Sequence, residues 1–227
     1  ESVERVYWAG GEPLITKEHY NILDKWIAMG KHDVKMDYTT NFTQMYYKKK
    51  TAFEYWNSFE HVRVAASLDA NHARGEYLRK NMDWTQVVQN RKDMIEQCPH
   101  VYFELTPTVS VYNVLNLPDF HKEWIEEGLL EPQNIRINIL LDPTYMRLQI
   151  LHPWQKDVIR ERYAEHIDYL KQFNDIDSVI GDYNNILQFL ETDRSKEQKI
   201  FLFKTKRIDD IRNENMYDVF PELKDIR

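Results

Sequence analysis

The chain has 227 residues, of which 42% are hydrophobic, 13% aromatic and 30% charged, and its formal net charge is −7. A chain of this size and composition buries a core of its own, which excludes a disordered or fibrous protein. No apolar run approaches the roughly 20 residues of a membrane-spanning helix, and the acidic balance disfavours a general nucleic-acid binder. The single cysteine, Cys98, excludes an internal disulfide and favours a cytoplasmic protein.

Strand-like and helix-like segments alternate over the first two-thirds of the chain. The strand-like runs are rich in Val, Ile, Tyr, Phe and Thr, and they fall at Val3–Ala9, Val34–Thr40, Val62–Asp69, Val101–Val111 and Ile135–Asp142. The helix-like runs between them fall at Lys17–Gly30, Gln44–Ser58, Asp83–Gln97 and Pro118–Gly128. Successive strands begin about 30 residues apart, the length of a βαβ unit. The pattern predicts an α/β fold with a parallel sheet, either open or curled toward a barrel.

The strand-like runs alternate between apolar and polar residues, unlike parallel strands that are buried on both faces. In the third run, Val62 and Val64 share one face and Arg63 lies on the other. In the fourth run, Phe103 and Glu104 likewise lie on opposite faces. We interpret the polar face as the concave side of a curved sheet that lines a ligand-holding lumen. The alternative is a sheet with one face in solvent.

The pattern changes after Pro143, where helix-like sequence replaces the alternation. The predicted helices fall at Trp154–Phe173, Ser178–Leu190 and Lys196–Asn213, and the tail Met216–Leu223 is expected to dock on the body of the protein. We therefore expect two domains: a partial barrel over residues 1–150 and a mainly helical C-terminal extension over residues 151–227.

A four-residue motif, Gly10-Gly11-Glu12-Pro13, lies between the first strand and the first helix. Ligands of βα proteins bind at the carboxyl ends of strands, where this loop is expected. Two glycines permit positive φ and a close approach of the backbone to a ligand, while the glutamate offers an acceptor to an ammonium group. The alternative is a plain tight turn, although chance produces this string in well under ~1% of chains of this length.

The segment Val6–Leu14 resembles the second strand and following loop of radical S-adenosylmethionine enzymes. Further resemblances follow in the family's order at Thr39–Asn41, Ala66–Ala70, Thr108–Asn113 and Ile137–Leu140. The segment Lys206–Leu223 is similar to the C-terminal part of members that carry a twitch domain. The resemblance covers most of the chain. It implies a partial (β/α)6 TIM-like barrel that begins at the family's second strand.

The resemblance also implies roles for individual residues, all of them contacts to S-adenosylmethionine or its surroundings. The methionine amino group would be contacted by Gly10, Gly11, Glu12 and Pro13, and the methionine carboxylate by Arg74. The ribose or the substrate would be contacted by Ser67 and Asp69. The mouth of the cofactor site would be lined by Asn41 and Asn113, and Asn138 would lie near the adenine. For Arg74, the alternative is an exposed loop charge.

The chain departs from the family at the cluster motif, which is Cys-x3-Cys-x2-Cys after the first strand and holds a 4Fe–4S cluster. Cys98 is the only cysteine and lies elsewhere in the sequence. Because the chain opens at Glu1 without Met, we expect the cluster-bearing segment to precede it in a longer protein. The alternative is a scaffold that has lost its cluster.

The resemblance implies a metal-binding enzyme in which an iron–sulfur cluster and S-adenosylmethionine generate a 5′-deoxyadenosyl radical. Its partners would be an electron donor and a small-molecule or peptide substrate. Two other functions remain: a binding protein that kept the lumen without catalysis, and an unrelated βα scaffold with a fortuitous motif. The sequence contains no Walker loop, no G-x-S-x-G elbow and no histidine pair at metal-ligand spacing.

Overall fold

The structure, a computed structural model, describes residues 3–226. The chain packs into two compact units: unit 1 comprises Glu1–Leu68 and Met82–Thr106, and unit 2 comprises Asp69–Asn81 and Pro107–Arg227. The bounds of these compact units differ from the expected domain boundary after residue 150. The division into two domains at that residue stays a prediction. Within residues 3–226, no helix is both long enough and apolar enough to cross a membrane.

The elements alternate as expected along the first two-thirds of the chain and become helical after it. The strands are β1 (Arg5–Trp8), β2 (Lys35–Thr40), β3 (Tyr46–Tyr47), β4 (Lys50–Thr51), β5 (Val62–Ala66), β6 (Tyr102–Leu105), β7 (Thr108–Val109) and β8 (Asn138–Ile139). The helices are α1 (Lys17–Ala28), α2 (Ala52–Trp56), α3 (His72–Leu78), α4 (Trp84–Gln97), α5 (Leu117–Glu126), α6 (Pro153–Leu170), α7 (Asp177–Leu190), α8 (Gln198–Arg212) and α9 (Met216–Val219).

A four-stranded sheet lies at the centre of unit 1. Its order is β1-β2-β5-β6, and every neighbouring pair is parallel. Because parallel neighbours end at the same edge, the loops that follow β1, β2 and β5 meet at the carboxyl edge of this sheet. The predicted α/β class with a parallel sheet is confirmed. The curvature of that sheet into a barrel stays a prediction.

The two faces of the sheet differ as the alternation predicts. Along β2 and β5, buried residues alternate with partly exposed ones. The partly exposed face carries ion pairs between neighbouring strands: Arg5 Nε lies 2.6 Å from Asp37 Oδ2, and an Arg63 nitrogen lies 2.7 Å from Glu104 Oε2. These ion pairs explain how positive and negative side chains occupy the same face of the sheet. Whether this face lines a lumen stays a prediction.

Local sequence accounts for the ends of the longer helices in unit 1. The backbone after α1 turns at Gly30, whose φ of 68° is costly for residues with a Cβ. Helix α4 begins after Asp83, whose carboxylate accepts a hydrogen bond from the Gln86 amide at 3.2 Å. Both ends agree with the predicted helices.

The prediction of one helix over Gln44–Ser58 is wrong in its first half. Tyr46–Tyr47 and Lys50–Thr51 pair as an antiparallel hairpin whose turn includes Lys48 at a φ of 57°. The helix begins only at Ala52, because Thr51 and Glu54 form a capping box there.

One other prediction is corrected by the structure, and one helix was not predicted. The single strand expected over Val101–Val111 is divided into β6 and β7, which belong to different sheets. Pro107 lies between them and offers no N–H to a strand ladder. Helix α3 was not predicted, because Gly75 interrupts a short segment with little helical periodicity.

Unit 2 combines a short parallel pair, β7 with β8, and a helical body. Tyr163 of α6, Tyr183 of α7 and Phe201 of α8 are fully buried in its core. In the tail, Phe220 and Leu223 are also fully buried. The predicted docking of the tail is therefore confirmed.

Candidate functional site

The Gly10-Gly11 loop leaves β1 at the carboxyl edge of the unit 1 sheet. The φ values are 84° at Gly10 and 59° at Gly11, a conformation that residues with a Cβ rarely adopt. A Cβ built on either glycine meets no atom within 4 Å. The glycines are therefore required by backbone conformation rather than by crowding, and their peptide groups border open space.

Glu12 is anchored to the end of the neighbouring strand. Its Oε1 accepts a hydrogen bond from Thr40 Oγ1 at 2.7 Å, and its Oε2 accepts one from the Asn41 amide at 2.8 Å. Oε1 also receives the Leu14 amide at 3.4 Å, which caps the turn that begins at Pro13. The half-buried carboxylate is thus fixed by donors from two segments, while Oε2 keeps a second lone pair.

Asn41 and Ser67 lie beside this loop because their strands are neighbours. The Ser67 amide donates to the Thr40 carbonyl at 2.8 Å, which continues the pairing of β5 with β2. Asn41 Oδ1 accepts from the Thr43 amide at 3.0 Å and from the Thr43 hydroxyl at 2.7 Å. Both Asn41 and Ser67 are half-buried. Four of the predicted segments therefore gather at one sheet edge: Gly10-Gly11, Glu12-Pro13, Asn41 and Ser67.

This edge combines a fixed carboxylate, a peptide turn bordering open space, an amide and a hydroxyl. A carboxylate is a charge-matched hydrogen-bond acceptor for an ammonium group. The backbone carbonyls of the glycine turn add acceptors, and the hydroxyl adds either a donor or an acceptor. The arrangement suits the amino end of an amino acid or a similar cation with polar substituents.

Asp69 belongs to unit 2 and is held there by three segments. Its Oδ1 accepts from the Thr108 amide at 2.9 Å, its Oδ2 lies 2.9 Å from an Arg79 nitrogen, and its carbonyl accepts from Asn113 Nδ2 at 2.7 Å. Burial raises the pKa of Asp69, and Arg79 opposes that shift. The Asp69 carboxylate therefore links Thr108, at the start of β7, to Arg79, the residue that caps the C-terminus of α3.

Arg74 has a carboxylate partner within unit 2. Its guanidinium forms a two-pronged ion pair with Glu222, with the longer contact at 3.2 Å, and lies 5.1 Å from the centre of the Phe220 ring. The pair borders a cleft of about 160 Å³ that Trp154 also lines. The alternative of an exposed loop charge does not describe this geometry, because Arg74 lies on α3 and is half-buried. The predicted ligand carboxylate would have to displace Glu222.

The two remaining predicted contacts differ in accessibility. Asn113 is fully buried: its Oδ1 accepts from the Ser110 amide at 2.7 Å, and its Nδ2 donates to backbone carbonyls. This network shapes the loop after β7. Asn138 instead is exposed on β8, and its backbone amide donates to the Pro107 carbonyl at 2.9 Å.

The residues of this chain do not fit a 4Fe–4S cluster. Three thiolates are needed, but the sequence supplies one cysteine. Cys98 is buried and donates to the Phe53 carbonyl at 3.3 Å, and burial raises its pKa to about 11. Among residues 3–226, no group of three His, Cys, Asp or Glu side chains is placed to hold a metal ion. Cys98 is thus a buried core thiol rather than a cluster ligand.

Another cleft of unit 1 lies at the opposite, amino edge of the sheet. It has a volume of about 360 Å³ and is lined by Lys35, His61 and the Arg5–Asp37 pair. Ligand sites of parallel α/β sheets lie outside the carboxyl ends of the strands. The carboxyl edge of the sheet is therefore the better candidate for a ligand site than this cleft at the amino edge.

Sequence reasoning missed Thr40 and Arg79, which hold Glu12 and Asp69 in place. Thr40 is 28 positions from Glu12, so only the pairing of β1 with β2 brings the two side chains together. Arg79 lies at the end of α3, a helix that the sequence pattern did not predict. The one feature of the sequence that indicated a partner for Glu12 was Thr40, at the end of the strand predicted over Val34–Thr40.

No family model and no curated protein matches the sequence. Among solved structures, native anSMEcpe with bound AdoMet and Kp18Cys peptide is similar, with 14% identity and a TM-score of 0.47, over 73% of this chain and 46% of that chain. Native anSMEcpe with bound AdoMet has 15% identity and a TM-score of 0.45, over 78% of this chain and 48% of that chain. The chain spans about half the length of these structures. Because these TM-scores lie below 0.5, the fold is taken from the strand order described above.

Proposed function

We propose that this chain binds S-adenosylmethionine at the carboxyl edge of unit 1, as the cofactor-binding part of a radical S-adenosylmethionine enzyme. One observation carries the proposal: the Glu12 carboxylate is fixed by Thr40 and Asn41 beside the open Gly10-Gly11 turn. The substrate would be a small molecule or a peptide, and an electron donor would be a further partner.

In this proposal, Glu12 and the glycine turn receive the ammonium group of the methionine moiety. The carboxylate needs no rearrangement, since three neutral donors already fix it and Oε2, which accepts only from the Asn41 amide, keeps a lone pair. Pre-organisation of this kind reduces the entropy lost on binding. The Ser67 hydroxyl and the Asn41 backbone would border the ribose from the next strands.

A 4Fe–4S cluster would supply the electron that radical chemistry on S-adenosylmethionine requires. The cluster would have to come from residues outside this chain, because Cys98 alone cannot hold it. The contribution of these residues is therefore binding and orientation of the cofactor.

The predicted roles of Asp69, Arg74, Asn113 and Asn138 stay predictions with unequal support. The exposed amide of Asn138 is open to a ligand. The side chains of Asp69, Arg74 and Asn113 already have partners within unit 2. For these three, we propose a part in shaping the loops rather than a direct contact.

Calorimetric titration with S-adenosylmethionine tests the proposal. Glu12→Gln removes the negative charge while keeping the size, so we expect a loss of about tenfold or more in affinity, as for a charged hydrogen bond. Glu96→Gln is the matched control, since Glu96 is exposed on α4 of the same unit. Equal affinities of wild type and Glu12→Gln, or no binding by the wild type, would refute the proposed site.

The lone cysteine supports a second candidate, a protein that binds S-adenosylmethionine without radical chemistry. The two candidates differ in iron content when the complete reading frame is reconstituted anaerobically with iron and sulfide. About four irons per chain support the enzyme. Absence of iron with retained cofactor binding supports the second candidate.

A further inference from the structure

Unit 1 contains a continuous array of aromatic rings that the proposed function does not use. Neighbouring ring centres are 4.7 to 6.2 Å apart. The array consists of Trp8, His19, Tyr20, Trp26, Tyr38 and Tyr55. It extends from Tyr38, which is 1% exposed, to the half-buried rings of Trp26 and Tyr55. Tryptophan and tyrosine are the side chains most readily oxidised by one electron, so the array offers short steps for an electron between the core and the surface.

Two tyrosines of the array have a base within hydrogen-bonding distance. Tyr38 Oη lies 2.9 Å from His19 Nε2, and Tyr55 Oη donates to Asp24 Oδ1 at 2.6 Å. Tyr20 differs, because its hydroxyl donates to the Leu14 carbonyl. A phenol that loses an electron becomes a strong acid, so a nearby base makes the oxidation easier by accepting the proton.

The surroundings of His19 keep its ring neutral, so that one ring nitrogen carries a lone pair. Burial lowers the pKa of His19 to about 4, so its ring is neutral at neutral pH. Its Nδ1 is buried and has no hydrogen-bond partner. With the proton on Nδ1, the lone pair of Nε2 faces Tyr38. The Tyr38 hydroxyl also lies 3.6 Å from Met36 Sδ, which is a weaker acceptor than the imidazole nitrogen.

We propose that Tyr38 and His19 form a reversible one-electron redox site, and that the array connects this site to Tyr55 at the surface. A one-electron oxidant of the class of trivalent metal polypyridyl complexes takes an electron from the Tyr38 ring and is reduced to the divalent complex. The phenolic proton moves to His19 Nε2, leaving a neutral tyrosyl radical and an imidazolium. An electron from Tyr55 then restores Tyr38, its proton returns from His19, and Tyr55 gives its own proton to Asp24.

Two fully buried tyrosines of unit 2, Tyr163 and Tyr183, are less suited to this role. Tyr163 is equally buried, but its hydroxyl donates to the Val114 carbonyl at 2.9 Å. Tyr183 lies 3.1 Å from His121 Nδ1, and His166 Nε2 lies 3.0 Å from the same nitrogen. Because His121 Nε2 faces the Pro132 carbonyl and must donate to it, the lone pair of Nδ1 is shared by two donors.

Flash photolysis with a ruthenium tris-bipyridine oxidant and a sacrificial quencher tests the proposal, with detection by electron paramagnetic resonance after rapid freezing. The oxidant is external, so the result does not depend on whether the chain binds S-adenosylmethionine. Wild type and Tyr163→Phe should give the same tyrosyl radical signal. Tyr38→Phe should lose most of that signal while keeping the circular dichroism of the wild type.

Two further variants keep the test decisive if Tyr38→Phe does not fold. His19→Gln retains the phenol without a base, so the radical yield should fall. Tyr55→Phe removes the surface end of the array, so the Tyr38 radical should decay more slowly. A signal of unchanged yield in Tyr38→Phe, or unchanged yield in His19→Gln with unchanged decay in Tyr55→Phe, would overturn the proposal.

Discussion

Acidification from pH 7 to pH 5 is expected to destabilise the protein strongly, because three buried histidines are held neutral. Burial lowers the pKa of His19 to about 4, that of His166 to about 4 and that of His121 to about 3. In the unfolded chain, all three have the ordinary pKa of about 6.5. Below pH 6.5, the unfolded state therefore binds more protons than the folded state, and stability is lost as the pH falls toward 4.

The size of the effect follows from the distance between pH 5 and the unfolded pKa. Each pKa unit corresponds to about 1.4 kcal/mol, so 1.5 units give about 2 kcal/mol for each histidine. The three together cost about 6 kcal/mol, which is comparable with the whole stability of about 5–15 kcal/mol of a typical domain. His121 and His166 face one another at 3.0 Å, so protonation of one further opposes protonation of the other.

Urea unfolding at pH 7, 6 and 5, followed by circular dichroism, measures this loss. His166→Gln should reduce the difference in unfolding free energy between pH 7 and pH 5 by about 2 kcal/mol. His61→Gln, a change of an exposed histidine, should leave the difference as it is. The reasoning is wrong if the wild-type unfolding free energy changes by less than about 1 kcal/mol between pH 7 and pH 5.

Three other outcomes are expected. Gly30→Ala should lower the unfolding free energy by about 1 kcal/mol, since the φ of 68° strains an alanine; a thermal melt equal to that of the wild type would contradict this. Cys98 should react with a thiol reagent in native protein far more slowly than in urea, because it is buried and its pKa is raised to about 11; equal rates would show an accessible thiol. A double-mutant cycle of Arg74→Ala and Glu222→Ala should give a coupling of about 1 kcal/mol, modest because both side chains are over a fifth exposed; additivity would show that the pair contributes nothing.

The sequence predicts those parts of the fold that depend on local chemistry. Gly10-Gly11 is recognisable because two adjacent residues with positive φ call for glycine. The parallel sheet follows from the spacing of β-rich runs, and α4 begins where its Asp83 cap indicates. For the glycine turn and the cap of α4, the signal lies within a few residues of the feature.

The missed features depend on contacts between distant segments. The Tyr46–Tyr47 strand has a helix-like neighbour in sequence, but Tyr47 stacks on Tyr20 of α1 with ring centres 5.7 Å apart. Glu12 meets Thr40 only because β1 and β2 are paired. No periodicity in a single sequence reports such pairings, so the anchored carboxylate emerged only from the structure.

Hydrogen exchange measured with and without S-adenosylmethionine tests the central claim most directly. The account predicts slower exchange on ligand addition in peptides that contain Gly10-Gly11 and Asn41, at the carboxyl edge of the unit 1 sheet. Glu12→Gln should remove this protection at the same ligand concentration. Protection confined to the amino edge around Lys35 and His61, or no protection in unit 1, would contradict the account.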